Sequence, residues 1–316
     1  MSRIHEALKK AEQEREAIQR EAPPAGFSVL AANEPLNQVE EPVNGPVRTA
    51  GVVPVAPSGA LFSTPFGIDS LMAKSVQTLW NPDSSTMLFL NGDDNVRGTE
   101  EFRTLRSRLY HVRERMPLKS VLVTSALPRE GKSFTSANLA QVLVRQHGRR
   151  VLLIDADLRA PRLHQMLGTL SSPGLSDYLQ GKSDELSAMQ RGPLENFFFM
   201  PSGTPIGDPS ELVGNGRMKT LLQRVGPLFD WIIIDSPPAV PVSDSGVLAK
   251  ACDGVLLVVR SNSTPFDAAR RAREEFPDQL LVGMVLNGTS TQVAPYSRYY
   301  YEAYEKQGKQ ENARKP

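Results

Sequence analysis

Six short apolar runs recur along the second half of the chain, separated by stretches with helical spacing. They are SVLVTS (120–125), RVLLID (150–155), FFFM (197–200), WIIID (231–235), GVLLVV (254–259) and LVGMVLN (281–287). A strand with one wet face alternates apolar and polar residues, whereas a strand covered on both faces reads as nearly continuous apolar sequence. The runs therefore predict an α/β domain over 85–290: a doubly wound, mostly parallel sheet with helices on both faces. Ligands of such sheets bind beyond the carboxyl ends of the strands. The residues that follow each run are thus the first place to look for chemistry.

The pattern changes outside this region. Over residues 1–22, Ile4, Ala7, Leu8 and Ala11 form a narrow apolar stripe, which predicts a helix with a mixed-charge polar face. Such a helix is marginal alone and suits an anionic membrane poorly. Residues 23–84 read as a flexible linker, because eight of the chain's 25 prolines fall within 23–66, and proline fixes φ while removing an N–H. The tail, 291–316, is polar and carries five of the seven tyrosines: Tyr296, Tyr299, Tyr300, Tyr301 and Tyr304. Tyr299, Tyr300 and Tyr301 are consecutive and do not share a helix face.

Composition narrows the classes. The chain has 316 residues, a net charge of +1 and no basic stripe, which argues against nucleic acid as a partner. No apolar run approaches a membrane span, and the first residues lack the apolar stretch of a secretory signal. The single cysteine, Cys252, makes no internal disulfide. The four histidines show no metal-ligand spacing. A soluble, cytoplasmic protein is expected.

The first run leads into ALPREGKS (126–133) and then into a helix-like stretch. The pattern G-x-x-x-x-G-K-[ST] is met except that Ala126 stands at the opening glycine. Backbone N–H groups of such a loop wrap phosphate oxygens at a helix N-terminus. Ala126, Arg129, Glu130, Gly131, Lys132, Ser133 and Phe134 are thus the expected nucleotide-binding residues. Lys132 would reach the terminal phosphates of ATP, and the Ser133 hydroxyl would meet magnesium. Two further runs end in acids, LLIDADLR at Asp155 and Asp157, and IIIDSPP at Asp235. Residues two apart on an extended chain point the same way, and Arg159 would join the two aspartates if the extension continued. Magnesium is held by one or two carboxylates together with phosphates, here Asp155 and Asp235 with Ser133. One carboxylate must also orient the attacking group or accept its proton. Asp157 is preferred, with Asp155 as its rival. Lys132, Asp155, Asp157 and Asp235 are the expected catalytic set.

Together these motifs resemble the bacterial tyrosine kinases, the P-loop autokinases of capsule and exopolysaccharide synthesis. ALPREGKS is similar to the family's Walker A, LLIDADLR to its second acidic motif and IIIDSPP to its Walker B. PGLSDYLQG (173–181), DPSELV (208–213) and DGVLLVVRSNST (253–264) also resemble the family. The resemblance implies ATP- and magnesium-dependent phosphorylation of the tail tyrosines. It also assigns ring-like self-association to Glu100, Arg103 and Arg106 in EEFRTLRSRL, and contact with adenine to Asn287. It further implies a separate membrane-spanning activator of the polysaccharide co-polymerase type, a cognate tyrosine phosphatase, and recruitment to the inner face of the membrane through a partner.

Two rival readings share the fold. Partition and cell-division ATPases carry a lysine early in the phosphate loop, where this chain has Leu127. A non-catalytic nucleotide-binding scaffold would tolerate loss of catalytic positions, yet all of them are filled here.

Overall fold

The computed structural model describes residues 67–89 and 98–289. The helix expected over 1–22, the prolines up to Pro65 and the five tail tyrosines lie outside the described residues.

All six apolar runs are strands. In chain order the elements are α1 (Ile68–Lys74), β1 (Val76–Gln77), α2 (Thr99–Arg113), β2 (Ser120–Ser125), α3 (Lys132–Val144), β3 (Val151–Asp155), α4 (Leu163–Leu167), α5 (Leu175–Leu179), β4 (Gln190–Arg191) and β5 (Phe197–Met200). They continue with α6 (Pro209–Gly214), α7 (Arg217–Val225), β6 (Trp231–Asp235), α8 (Asp244–Ala249), β7 (Gly254–Arg260), α9 (Phe266–Glu274) and β8 (Leu281–Asn287). The eight strands form one sheet in the order β1-β4-β5-β3-β6-β2-β7-β8. The six longer strands run parallel, while β4 is antiparallel to β5. Residues 67–84, assigned to the linker from proline content, instead contain α1 and the edge strand β1, which pairs with β4. No proline falls between 66 and 80, so the composition that marks the linker ends before this segment begins.

The inner strands β2, β3, β5, β6 and β7 are buried on both sides, and alternate residues serve two cores, whereas the edge strand β8 leaves Met284 and Leu286 exposed. Leu122, Leu152, Ile154, Ile232, Ile234 and Leu257 face one, with Leu71 of α1, Leu175 of α5, Val213 of α6, Leu221 of α7, Leu248 of α8 and Ala272 of α9. Val121, Val123, Leu153, Ile233 and Val258 face the other, with Phe102 of α2, Leu139 and Leu143 of α3, and Leu163 of α4. This division explains the unbroken apolar runs: neither face is available to polar residues.

The helix after the phosphate loop, α3, is buried nearly all round. The segment before α2 closes over it. There the Asn138 amide donates to the Thr86 carbonyl at 2.8 Å and its oxygen accepts from Leu88 N–H at 2.8 Å. One side chain thereby satisfies two backbone groups of a non-helical strap, one of them buried. Among the described residues no helix is long and apolar enough to cross a membrane.

Candidate nucleotide and acceptor site

Sheet register brings the acids together. Asp155 and Asp235 are directly opposed Cα partners at the carboxyl ends of β3 and β6. By alternation they share the face of Leu153 and Ile233, the face on which α3 packs. Both are fully buried. The start of α3 supplies the hydrogen-bond partners of Asp235. Ser133 Oγ donates to Asp235 Oδ2 at 2.6 Å, and Ser136 Oγ, one turn along, lies 3.0 Å from Asp235 Oδ1. Lys132 Nζ lies 2.6 Å from Asp157 Oδ2 and 4.0 Å from Asp235 Oδ2. Asp157 also accepts from Ala160 N–H at 3.1 Å. Asp155 accepts from Leu163 N–H at the start of α4, 3.1 Å away, while its other oxygen is buried without a partner.

The electrostatics follow from one cation among three carboxylates. Burial pulls the Lys132 ammonium down, but Asp235, Asp157 and Asp155 outweigh it and hold its pKa above the ordinary value. Burial pushes the Asp155 carboxyl well above the ordinary aspartate range, and the neighbouring Asp235 pushes it further. Burial also raises Asp235, against the opposing pull of Lys132 and the Ser133 hydroxyl. The residues fit magnesium: the Ser133 hydroxyl of the loop bonds Asp235, and Asp235 sits opposite Asp155, one oxygen of which is buried without a partner. Among the described residues no group of three or more histidines, cysteines and acids gathers as a self-sufficient metal cage. Magnesium held partly by phosphate oxygens needs none.

The remaining expected residues are distributed as follows. Gly131 has φ +97°, and a Cβ there would overlap the Asn287 amide. Asn287, at the end of β8, donates through Nδ2 to the Glu130 carbonyl at 2.9 Å, and its oxygen accepts from Gly288 N–H at 2.8 Å. Arg129 lies in the loop at φ +66°. Glu130 is buried, and its carboxylate accepts from Leu127 N–H at 2.9 Å and from the Thr264 hydroxyl. Ala126 is wholly buried in the core. The Phe134 ring packs edge-on to Phe102 of α2 at 5.8 Å.

Arg159 departs from the expectation that it would join Asp155 and Asp157. Strand β3 ends at Asp155. Arg159 instead forms a forked pair with buried Asp244 of α8, at 2.7 and 3.2 Å, and reaches Ser210 of α6 at 2.5 Å. On α2, Glu100 and Arg103 pair with each other, whereas Arg106 donates to the Val142 carbonyl at 3.0 Å and so ties α2 to α3. Sequence reasoning missed Ser136, Asp244 and Thr264. Ser136 was accessible in principle, because it lies four residues after Lys132 on the same helical face.

A strand, an anion-cradling loop and a buried helix, with acids at two adjacent strand ends, define a P-loop nucleotide-binding domain. Comparison with known proteins agrees and goes further. Residues 130–268 match the family model described as an AAA domain. The tyrosine-protein kinase YwqD of Bacillus subtilis is 36% identical over 205 residues, covering 64% of this chain and 85% of that protein. The tyrosine-protein kinase wzc of Salmonella typhimurium is 30% identical over 70% of this chain, but the match spans only 31% of wzc. Among solved structures, the kinase domain of the Escherichia coli tyrosine kinase ETK superposes with a TM-score of 0.57 at 31% identity, covering 61% of this chain and 76% of that one. The chain belongs to the bacterial tyrosine-protein kinase family.

Proposed function

We propose that this chain is a magnesium- and ATP-dependent autokinase that transfers the γ-phosphoryl group of ATP to tail tyrosines, Tyr296, Tyr299, Tyr300, Tyr301 and Tyr304, of a neighbouring copy. The observation that carries the reading is the cluster of Lys132 with Asp155, Asp157 and Asp235 at the mouth of the phosphate loop. Phosphoryl transfer asks the protein mainly for positioning and charge neutralisation. In this reading Lys132 exchanges Asp157 for the terminal phosphates, and the exchange frees the Asp157 carboxylate to accept the tyrosine proton. Ser133, Asp155 and Asp235 would hold magnesium, which when bound neutralises the charge of the phosphates. Glu100 and Arg103 serve self-association in a ring, with Arg106 securing their helix to α3. By likeness to its relatives, the protein acts in capsular or exopolysaccharide synthesis. It works in the cytoplasm, held at the inner face of the membrane by a separate membrane-spanning activator and opposed by a tyrosine phosphatase.

The test is incubation of the purified full chain with labelled ATP and magnesium, followed by mapping of labelled tyrosines. Wild type should label its tail, and Lys132→Met should reduce transfer by at least about 100-fold, the scale of losing one transition-state charge contact. Absence of transfer by wild type, with its activator supplied, would refute the kinase reading.

A further inference from the structure

Three side chains from the neighbouring strand ends grip three consecutive features of the phosphate loop. Arg260, the last residue of β7, lies 3.2 Å from the Arg129 carbonyl through Nη1. Asn287, the last residue of β8 and the Cα partner of Arg260, donates to the next carbonyl, that of Glu130. Thr264, in the turn between β7 and α9, accepts from Arg260 N–H at 2.8 Å and gives its only hydroxyl proton to the Glu130 carboxylate. The other oxygen of that carboxylate accepts from Leu127 N–H at 2.9 Å and closes the loop on itself.

From this geometry we infer that Arg260, Thr264 and Asn287 are positioning residues that preset the anion-binding face of the phosphate loop. A trans peptide is planar, with its C=O and the following N–H pointing in opposite directions. Pinning the Arg129 carbonyl to the β7–β8 side therefore aims Glu130 N–H the other way. Pinning the Glu130 carbonyl does the same for Gly131 N–H. These are donors that a phosphate loop presents to its ligand. The loop needs such external support because Arg129 and Gly131 both hold positive φ, a conformation costly for the arginine. Asn287 also occupies the space that a side chain at position 131 would fill, so it acts on the loop itself, whatever it does toward the adenine ring. The inference rests on the loop binding nucleotide phosphates, but not on phosphoryl transfer.

Equilibrium binding of MgATP and of magnesium tripolyphosphate, which has no base, separates the possibilities. Full-length Thr264→Val, Asn287→Ala and the exposed Arg260→Ala should each bind both ligands about tenfold more weakly. Thr264→Ser should restore binding to within about twofold of wild type, which a simple packing role would not demand. If Asn287→Ala weakens ATP while leaving tripolyphosphate unchanged, Asn287 reads the base and its positioning role is wrong. If tripolyphosphate binding by the folded Thr264→Val and Arg260→Ala chains stays within twofold of wild type, the whole grip is wrong. Should Thr264→Val fail to fold, Arg260→Ala alone decides. Failure of the nucleotide reading looks different, because wild type itself would then bind neither ligand.

Discussion

At the scale of single residues, Asp155 is the group whose state is most at odds with its surroundings. Its carboxyl is fully buried beside Asp235, and both facts disfavour the anion. The sign of the consequence is fixed by linkage. An acid whose folded pKa lies above its unfolded value keeps its proton longer in the folded state, so stability falls as pH rises between the two values. Asp155→Asn removes that penalty and keeps an oxygen to accept from Leu163 N–H. The variant should therefore be more stable than wild type at neutral pH, because burial and Asp235 hold the Asp155 pKa above its ordinary value. The gain should vanish once pH falls below the unfolded aspartate value. Thermal melts at neutral and acid pH measure it. If the variant melts lower than wild type at neutral pH, the strain assigned to Asp155 is absent. The same substitution should nearly abolish transfer, so stability and activity move in opposite directions, as expected where a site is built against its own folding.

At the scale of elements, the sheet continues past its long strands through β4 and β1, and Trp80 packs over that end. Trp80, just after β1, packs edge-on to Phe197 at 5.4 Å and to Phe199 at 6.2 Å. Its indole N–H donates to Thr78 at 2.8 Å. A Cβ on Gly192, just after β4, would run into the indole ring. Gly192→Ala should thus cost about 1–3 kcal/mol, the range for overpacking a filled site. It should also perturb the fluorescence of one of the two tryptophans while leaving MgADP affinity unchanged. A melting temperature equal to wild type would contradict the packing assigned to this corner. The region also shows where sequence reading stops. Six strands were legible because each contains a run of three or more consecutive apolar residues. By contrast β1 and β4 are two residues each, Val76–Gln77 and Gln190–Arg191, too short to show any period, and they exist through pairing alone. The acids at strand ends were legible because register is set by the same alternation that builds the cores. The partner of Arg159 was not, because Asp244 is 85 residues away and Arg159 lies four residues beyond the end of β3, where strand alternation no longer sets its direction.

At the scale of the whole molecule, the proposed site and the proposed acceptors are separated along the chain: the site is built from residues 126–287, while the five tail tyrosines begin at 296. Transfer between copies requires surfaces that bring one copy's tail to another's phosphate loop. On α2, Glu100 and Arg103 lie together on an accessible face, while Arg106 is spent on α3. Arginine's planar, multidentate head suits an interface ion pair, so reversing Arg103 should weaken association without touching the nucleotide site. Mixing a Lys132→Met chain with an active chain truncated after residue 290 isolates the step. Only the first chain carries tyrosines in its tail, and only the second is expected to transfer phosphate. Label on the first chain's tail, rising with total protein concentration, is the expected outcome. Arg103→Glu in both chains should lower that label by about tenfold at a fixed concentration. An unlabelled tail in the mixture, alongside a labelled tail in wild type, would mean that each copy phosphorylates itself. Each phosphate adds about −1.5 to −2 charges at neutral pH, so a tail labelled at several tyrosines repels both itself and the carboxylates of the site. The mixture should therefore lose association as label accumulates, and its sedimentation should shift toward smaller species on the same timescale as transfer.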